Sequence, residues 1–561
     1  MVYIGLRIYP CYMKLNTKST GLSFALLLSV MLCQGQATNW VRQIKSSKES
    51  FAFKVLADDA DFIYVTGRYE DSISLSPDNI LYSELTASFL AKFDLQGNVI
   101  WAKSVTGPGR NSGASIAVDS EGFIYLLGTF EFAASMGPFH FTAGHNYDQI
   151  YLIKLNPNGF PVWVRQTTGS DKTYPTGIVI NSANQVYLTG TLFDRTTFMG
   201  TTVTPTTYNT PFIARLDTDG KLIWFKVLNG NGGLKDINGV TTNEAGDIFF
   251  CGTFTDNIFL DSIQLAVSVY YDTIDIYGDT LILPVYNRDY FVSQIDSTGK
   301  IVWAVQSNYL TDEYAHGVVA DNNGNVYVTG GSEDSLSRSV FVARHNQYGG
   351  GLDWINLSLA CGEGLSVAAD DGNNMYVTGI FCGSAEINGY QVTSKGGGDI
   401  FIMNFDSSAN FNWITTHGST NNDYGWSICE RDGSIFVAGG FLYEAKFGNI
   451  IVNTSPHVGW DAFVAKLDRD FLLSNEQLRP EQKMLVFPNP FGDQVTVSTS
   501  FLTTETQILS IVDITGREIF TTVINAGNNY FTINTGHLRS GLYFLTLYGD
   551  EDSLVEKIIK Q

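Results

Sequence analysis

The stretch Asp321-Asn-Asn-Gly-Asn-Val-Tyr-Val-Thr-Gly330 decides how this chain is read. A turn built from Asp, Asn and Gly, residues that tolerate left-handed backbone, leads into an alternating strand that stops at a glycine. A second copy follows at Asp370-Asp-Gly-Asn-Asn-Met-Tyr-Val-Thr-Gly379. The strand half recurs as Ile63-Tyr-Val-Thr-Gly67, Ile124-Tyr-Leu-Leu-Gly128, Val186-Tyr-Leu-Thr-Gly190, Ile248-Phe-Phe-Cys-Gly252 and Ile435-Phe-Val-Ala-Gly439.

Outward from this core the copies share more. A short apolar segment precedes each turn, as in Gly113-Ala-Ser-Ile-Ala-Val118 and Gly317-Val-Val-Ala320. A third segment reads Phe89-Leu-Ala-Lys92-Phe-Asp94, Tyr151-Leu-Ile-Lys154-Leu-Asn156 or Phe212-Ile-Ala-Arg215-Leu-Asp217. Each is followed by a glycine (Gly97, Gly159, Gly220) and a tryptophan (Trp101, Trp163, Trp224). Tryptophan also stands at Trp40, Trp303, Trp354 and Trp413. The unit is therefore four short strands joined by hairpins, with no amphipathic helical stretch in competition. Four-stranded units repeated radially predict a β-propeller.

The two ends of the repeat region are incomplete in complementary ways. Trp40 lacks the strand that should precede it, and Phe463-Val-Ala-Lys466-Leu-Asp468 lacks the tryptophan strand that should follow. Pairing the two completes a seventh blade and removes an exposed sheet edge, which an open solenoid has no need to do. The unit centred on Ile248–Gly252 is long. Its extra residues from Ser262 to Pro284 read as an extended rim hairpin or as a ligand-contacting loop.

The repeat resembles the bacterial β-propeller repeat (SBBP) family, carried by the two Asp-x-x-Gly/Asn-Asn-x-Tyr-Val-Thr-Gly stretches quoted above. That resemblance implies a fold and no particular ligand. After a polar linker over residues 469–483, the block 484–561 holds about seven predicted strands, which suggests an immunoglobulin-like sandwich. It resembles the type A sorting domain of type IX secretion. The carrying residues are Phe487-Pro488-Asn489-Pro490, Asp513-Ile-Thr-Gly516-Arg517, Leu538-Arg-Ser-Gly541-Leu-Tyr543 and Lys557-Ile-Ile-Lys560. The resemblance implies handling by the type IX machinery and delivery to the cell surface or the medium.

At the other end, Lys14 and Lys18 precede an apolar run from Leu22 to Leu32, and Gly35-Gln-Ala37 supplies small residues for cleavage. Residues 1–37 read as a signal peptide, and no later segment reads as a transmembrane helix. Residues 38–468 are then the expected propeller. Export permits disulfides, and Cys361 and Cys382 fall opposite each other across a predicted hairpin, so one bridge is expected there. Cys251 and Cys429 are expected to be buried thiols.

Composition narrows the function. Among 561 residues only 16% are charged and 13% are aromatic, with 55 Gly and a net charge of −22. Such a surface repels phosphate backbones, so nucleic acid is excluded as a partner. No HExxH, CxxC, Walker loop or GxSxG elbow occurs, and no catalytic residue is assigned. The Asp/Asn/Gly turns contain oxygen ligands suited to structural calcium, but each already has a hairpin role, so no cofactor or metal is assigned.

The remaining candidates are positional. The first strand of each blade should line the axial channel. Its entrance gathers Arg110 and Asn111, Asp171 and Tyr174, Lys235 and Asp236, Glu313 and Tyr314, Glu363, and Asp423 and Tyr424. These groups suit a glycan or protein ligand. Three readings stay open: a secreted binding protein, an extracellular polysaccharide hydrolase or lyase using carboxylates such as Glu313 and Asp423, and a structural adhesin-like scaffold.

Overall fold

The computed structural model describes residues 38–469 and 484–561. It omits 144, 170, 268, 277–278, 308–310, 334–337, 388–389, 455–458, 500–506, 525–529 and 549–552. The expected signal peptide and nearly all of the expected linker therefore lie outside the described residues.

The opening stretch folds as a turn and a strand for identifiable reasons. Asp321 Oδ1 accepts the backbone N–H of Asn323 (2.9 Å) and of Asn325 (2.8 Å), closing the turn on itself. Its other oxygen accepts the Asn325 side-chain amide (2.8 Å) and the hydroxyl of the buried Tyr327 (3.1 Å). Gly324 takes φ +80°, a region where a side chain would be strained. At the strand's far end, a Cβ on Gly330 would lie 1.7 Å from the carbonyl oxygen of Tyr314, so only glycine fits. The same carboxylate-to-tyrosine lock joins Asp58 to Tyr64 (2.9 Å), Asp119 to Tyr125 (3.2 Å) and Asp370 to Tyr376 (2.9 Å).

Strands Asp312–Ala320, Val326–Glu333, Arg338–His345 and Leu352–Ala360 form an antiparallel sheet in chain order. Equivalent four-stranded arrangements begin at Ser50–Ala57, Asn111–Val118, Thr173–Ile180, Lys235–Thr242 and Gly362–Ala369. In a further unit, Tyr424–Arg431, Ser434–Phe441 and Asp461–Asp468 take their fourth strand from the other end of the chain, Thr38–Ser46. There Trp40 pairs with Lys466 and Ile44 with Ala462, while Lys45 and Ser46 reach on to Ser74 and Ile73 of the first unit. The chain is all-β and propeller-like.

Adjacent units lock through the periodic tryptophans. Trp163 donates its indole N–H to the Thr218 carbonyl (3.2 Å) of the next unit's turn, and its ring lies over Gly220. Trp40 does the same with Leu95 (3.0 Å) and Gly97, and Trp224 with Ser297 (3.0 Å) and Gly299. Between the sheets lie apolar clusters drawn from neighbouring units, such as Phe249, Tyr290 and Trp303 with Phe341 of the next unit. In the long unit, the short hairpin Ile258–Leu260 with Ile263–Leu265, which other units also carry, is followed by an additional one, Val269–Ile276 with Asp279–Tyr286.

In the C-terminal block, Met484–Phe487, Gln494–Thr499 and Tyr530–Asn534 form one sheet. Glu518–Ile524, Gln507–Asp513, Gly541–Tyr548 and Ser553–Lys560 form another. Both contribute to one apolar core that includes Val495, Val497, Leu509, Ile511, Leu545 and Ile558. Asn489, between Pro488 and Pro490, donates to the Lys557 carbonyl (2.8 Å) and accepts from the Ile559 N–H (2.9 Å), clasping that motif to the last strand. Gly516 carries the positive φ of the Asp513–Arg517 turn, and Gly541 opens its strand.

Candidate functional site

The first strand of every unit faces inward, and each packs on the next. Ser427 Oγ accepts the Val55 N–H (3.2 Å), Ser366 Oγ accepts the Ile428 N–H (3.3 Å), and Ser115 Oγ accepts the Ile178 N–H (3.4 Å). Each of these bonds joins the same pair of levels, so the strands run in one direction around an axial cavity of about 650 Å³. Every inner strand carries a β-bulge just before that level, for example between Ala315 and Gly317 and between Gly425 and Ser427. The extra residue is re-aimed into the cavity. Phe53, Asn238, His316, Leu365 and Trp426 line it for this reason.

The residues expected at the channel entrance divide by strand alternation. Neighbours in a strand point to opposite faces, so an adjacent pair cannot both face the axis. Tyr174, Asp236, Tyr314, Glu363 and Tyr424 share the register position nearest the opening and are half-exposed. Asn111, Lys235, Glu313 and Asp423 sit one residue away and are buried between sheets. Asn111 spends its amide on the carbonyls of Thr86 and Gly109, and Lys235 donates to the carbonyl of Gly232. Asp423 accepts the backbone N–H groups of Ser419 (2.6 Å) and Leu442 (3.1 Å). Burial pushes its carboxyl up to about 6, and that of Glu313 up to about 7. Asp423 thus holds loop backbone, Glu313 accepts the Thr311 hydroxyl, and the two do not present an oxygen pair to the axis. Arg110 is exposed, with its N–H on Glu131, and Asp171 turns its carboxylate onto the Lys172 N–H (2.7 Å).

What does gather at the entrance is an ionic arc beside an aromatic one. Glu363 accepts from His316 Nε2 (2.5 Å) and from Arg338 (2.6 Å), and these two partners hold its carboxyl below the usual range against the effect of burial. Gly331 makes room, since a Cβ there would lie 3.1 Å from Arg338 Nε. Tyr314 lies under two guanidiniums, Arg288 at 4.4 Å and Arg338 at 5.3 Å from its ring centre. Next round the ring, Tyr424 stacks on Trp426 (5.2 Å, 9°), Trp426 meets Phe51 (5.4 Å) and Phe53 (5.1 Å), and Trp460 meets Tyr424 (5.6 Å). Further round, Tyr174 packs edge-on to Phe193 (5.6 Å), and burial beside Asp148 pushes its hydroxyl up to about 12.

Sequence reasoning missed His316, Arg288, Arg338, Phe51, Phe53, Trp426 and Trp460. His316 and Trp426 are bulge residues, and a bulge has no signature until the copies are aligned on their glycines. Cys361 and Cys382 are joined by a disulfide, and Cys361 leads directly into Glu363. The Cys361 N–H also donates to the Arg338 carbonyl (2.5 Å), so the bridge sits behind the Arg338–Glu363 pair. Cys251 and Cys429 are free thiols. Among the described residues, no group of three or more His, Cys, Asp or Glu side chains is placed to hold a metal ion. No helix among them is long and apolar enough to cross a membrane.

Known proteins place one part of the chain. Residues 485–561 match the secretion system C-terminal sorting domain. The chain thus carries a type IX sorting domain, which directs export to the cell surface or the extracellular space. A curated relative, an uncharacterized WD repeat-containing protein of Acanthamoeba polyphaga mimivirus, is 22% identical over 182 residues. That match covers 27% of this chain and 13% of the relative's length. Among solved structures, the polysaccharide lyase Uly1 is similar over 77% of this chain and 100% of its own, with 9% identity and a TM-score of 0.42. Sqt1 of Chaetomium thermophilum, solved bound to the N-terminus of the ribosomal protein L10, is similar over the same shares with 8% identity and a TM-score of 0.37.

Proposed function

We propose that this chain is a secreted or surface-displayed seven-bladed β-propeller of the SBBP type that binds a glycan at one mouth of its axial channel. In this reading residues 1–37 are a signal peptide and residues 38–468 are the propeller, with the N-terminal strand completing the last blade. Residues 469–483 are a linker, and 484–561 form an immunoglobulin-like sorting domain handled by the type IX machinery. The observation that carries the glycan reading is the entrance itself. Tyr424, Trp426 and Trp460, packed around the buried Phe51, offer aromatic surface to a sugar, beside the Glu363, His316 and Arg338 cluster that supplies hydrogen bonds to hydroxyls. Tyr424, Trp426, His316 and Glu363 stand on rigid inner strands, which favours a preformed site.

The test is binding of the mature protein to a glycan array, followed by calorimetry on the strongest hit. Trp426→Ala, removing a central ring face, should weaken binding roughly 10- to 100-fold, as loss of an anchoring aromatic does elsewhere. Unchanged affinity would refute the site. A second reading, polysaccharide cleavage, draws on the His316–Glu363 hydrogen bond, a pairing that can position an imidazole for proton transfer. Product release from the bound polysaccharide that disappears in His316→Ala would favour it over simple binding.

A further inference from the structure

One position breaks the repeat in a way no folding requirement explains. On each inner strand, the residue paired opposite the one just before the closing glycine is small: Ser115, Gly177, Gly239, Gly317, Ser366 and Ser427. Neighbouring strands come too close there for anything larger. A Cβ on Gly317 would lie 3.0 Å from the Ser366 Cα, and one on Gly177 would lie 2.7 Å from Val240. In the unit that begins at Ser50 the same position, opposite Thr66, is Lys54. Its side chain reaches into the axial cavity, whose wall it forms together with Phe53 and Trp426.

The Lys54 ammonium makes no hydrogen bond and no ion pair with any described residue. Enclosure in protein holds its pKa below the ordinary lysine value. The titratable neighbour that faces it is the Cys429 thiol, itself pushed up to about 12 by burial and therefore neutral. His316, on the same cavity wall, is engaged by Glu363. A half-buried cation without a counter-ion loses part of its hydration with no return, and this chain has a net charge of −22 and many carboxylates to spare. Asp58, Asp59, Asp119 and Glu430 line the same cavity, yet none forms an ion pair with Lys54, which leaves its charge for something that enters. Phe53 and Trp426, 5.1 Å apart between ring centres, stand on the same cavity wall next to the lysine's own level.

We infer that the saccharide bound at this mouth is a uronic-acid-bearing one, with a sugar ring on the Phe53–Trp426 pair and its carboxylate on the Lys54 ammonium. The inference rests on the glycan-binding reading above and adds the chemical class. A buried ion pair formed with the ligand supplies discrimination as well as affinity, since a neutral sugar leaves the ammonium unpaired.

The experiment uses the mature protein and calorimetry with oligosaccharides of polygalacturonate, alginate and hyaluronan, each beside its carboxyl-reduced neutral counterpart. Wild type should bind at least one acidic form about tenfold or more tighter than its reduced partner. Lys54→Ser installs the residue that three other units carry, so the fold tolerates it, and a melting curve checks this. It should bring the acidic and reduced forms to equal affinity, whereas Trp426→Ala should weaken both alike. Equal binding of the two forms by wild type overturns the uronate inference and leaves the glycan reading intact. A preference for the acid that persists in Lys54→Ser also overturns it, because the cation then lies elsewhere. Failure of all six probes to bind overturns the inference and counts against the glycan reading as well.

Discussion

Replacing Asp321 by Ala and Tyr327 by Phe, singly and together, tests whether the repeated turn is held by one shared carboxylate. Tyr327→Phe deletes a single buried hydroxyl whose partner is the carboxylate at 3.1 Å. Its net loss should be about 1 kcal/mol, rising toward about 2 because the acceptor is charged. Asp321→Ala removes the acceptor for two backbone N–H groups, one amide and that hydroxyl. It also takes the carboxylate acceptor away from the buried Tyr327 hydroxyl, which alone costs about 1–3 kcal/mol. The turn amides regain water at the rim, so the total should be about 3–4 kcal/mol rather than the sum of four bonds. In the double variant the Tyr327 hydroxyl is gone, so adding Tyr327→Phe to Asp321→Ala should cost nothing or restore stability. The coupling should be about 1–2 kcal/mol. Urea unfolding gives the cycle, and hydrogen exchange at the Asn323 and Asn325 amides localises it. Additive single-site losses, or an Asp321→Ala cost below about 0.5 kcal/mol, would refute the shared-lock account.

Two further outcomes follow from packing and charge. Ile44 is 1% exposed on the strand that joins the two ends of the repeat region. Ile44→Ala should therefore destabilise by about 2–5 kcal/mol, whereas the neighbouring exposed Lys45→Ala should have almost no effect; equal small effects in thermal melts would show that the N-terminal strand does not close the ring. Glu313, raised to about 7 from an ordinary 4.5, is bound to its proton more tightly in the folded state. Its contribution to stability is thus greatest below about pH 4.5–5 and declines as pH rises through the window to 7, by about 3 kcal/mol in all. Glu313→Gln should match wild type near pH 5 and exceed it by up to that amount at pH 8, and a difference flat across that range would refute the burial effect.

The fold was legible because its constraints act within one unit and repeat. Turn carboxylate, left-handed glycine, close-approach glycine and clasping tryptophan each have a local cause, such as the Gly330 Cβ that would strike the Tyr314 carbonyl. Each cause recurs with the period, so the pattern rises above chance. The closing strand was legible for a related reason: half a unit at either end of the repeat leaves complementary unpaired edges, and Trp40 pairs with Lys466.

The entrance was only half legible, and the reason is geometric. Sequence order gives which strand a residue belongs to but not which face it occupies once a bulge has shifted the alternation by one. Glu313 and Tyr314 are adjacent and chemically suited to the same task, yet the strand sends the first between sheets and the second to the axis. The bulge also creates positions absent from a regular strand, and His316 and Trp426 occupy them. Reading such a site therefore needs the register before the chemistry. Aligning the Tyr-Val-Thr-Gly strands on their glycines, and counting 13 residues back, sets Lys54 against two serines and three glycines without any structure; in the last copy the turn is one residue shorter, and only the register brings Ser427 into line. A repeat is selected for sameness, so its informative residues are the ones that depart from it at a position where departure is sterically costly.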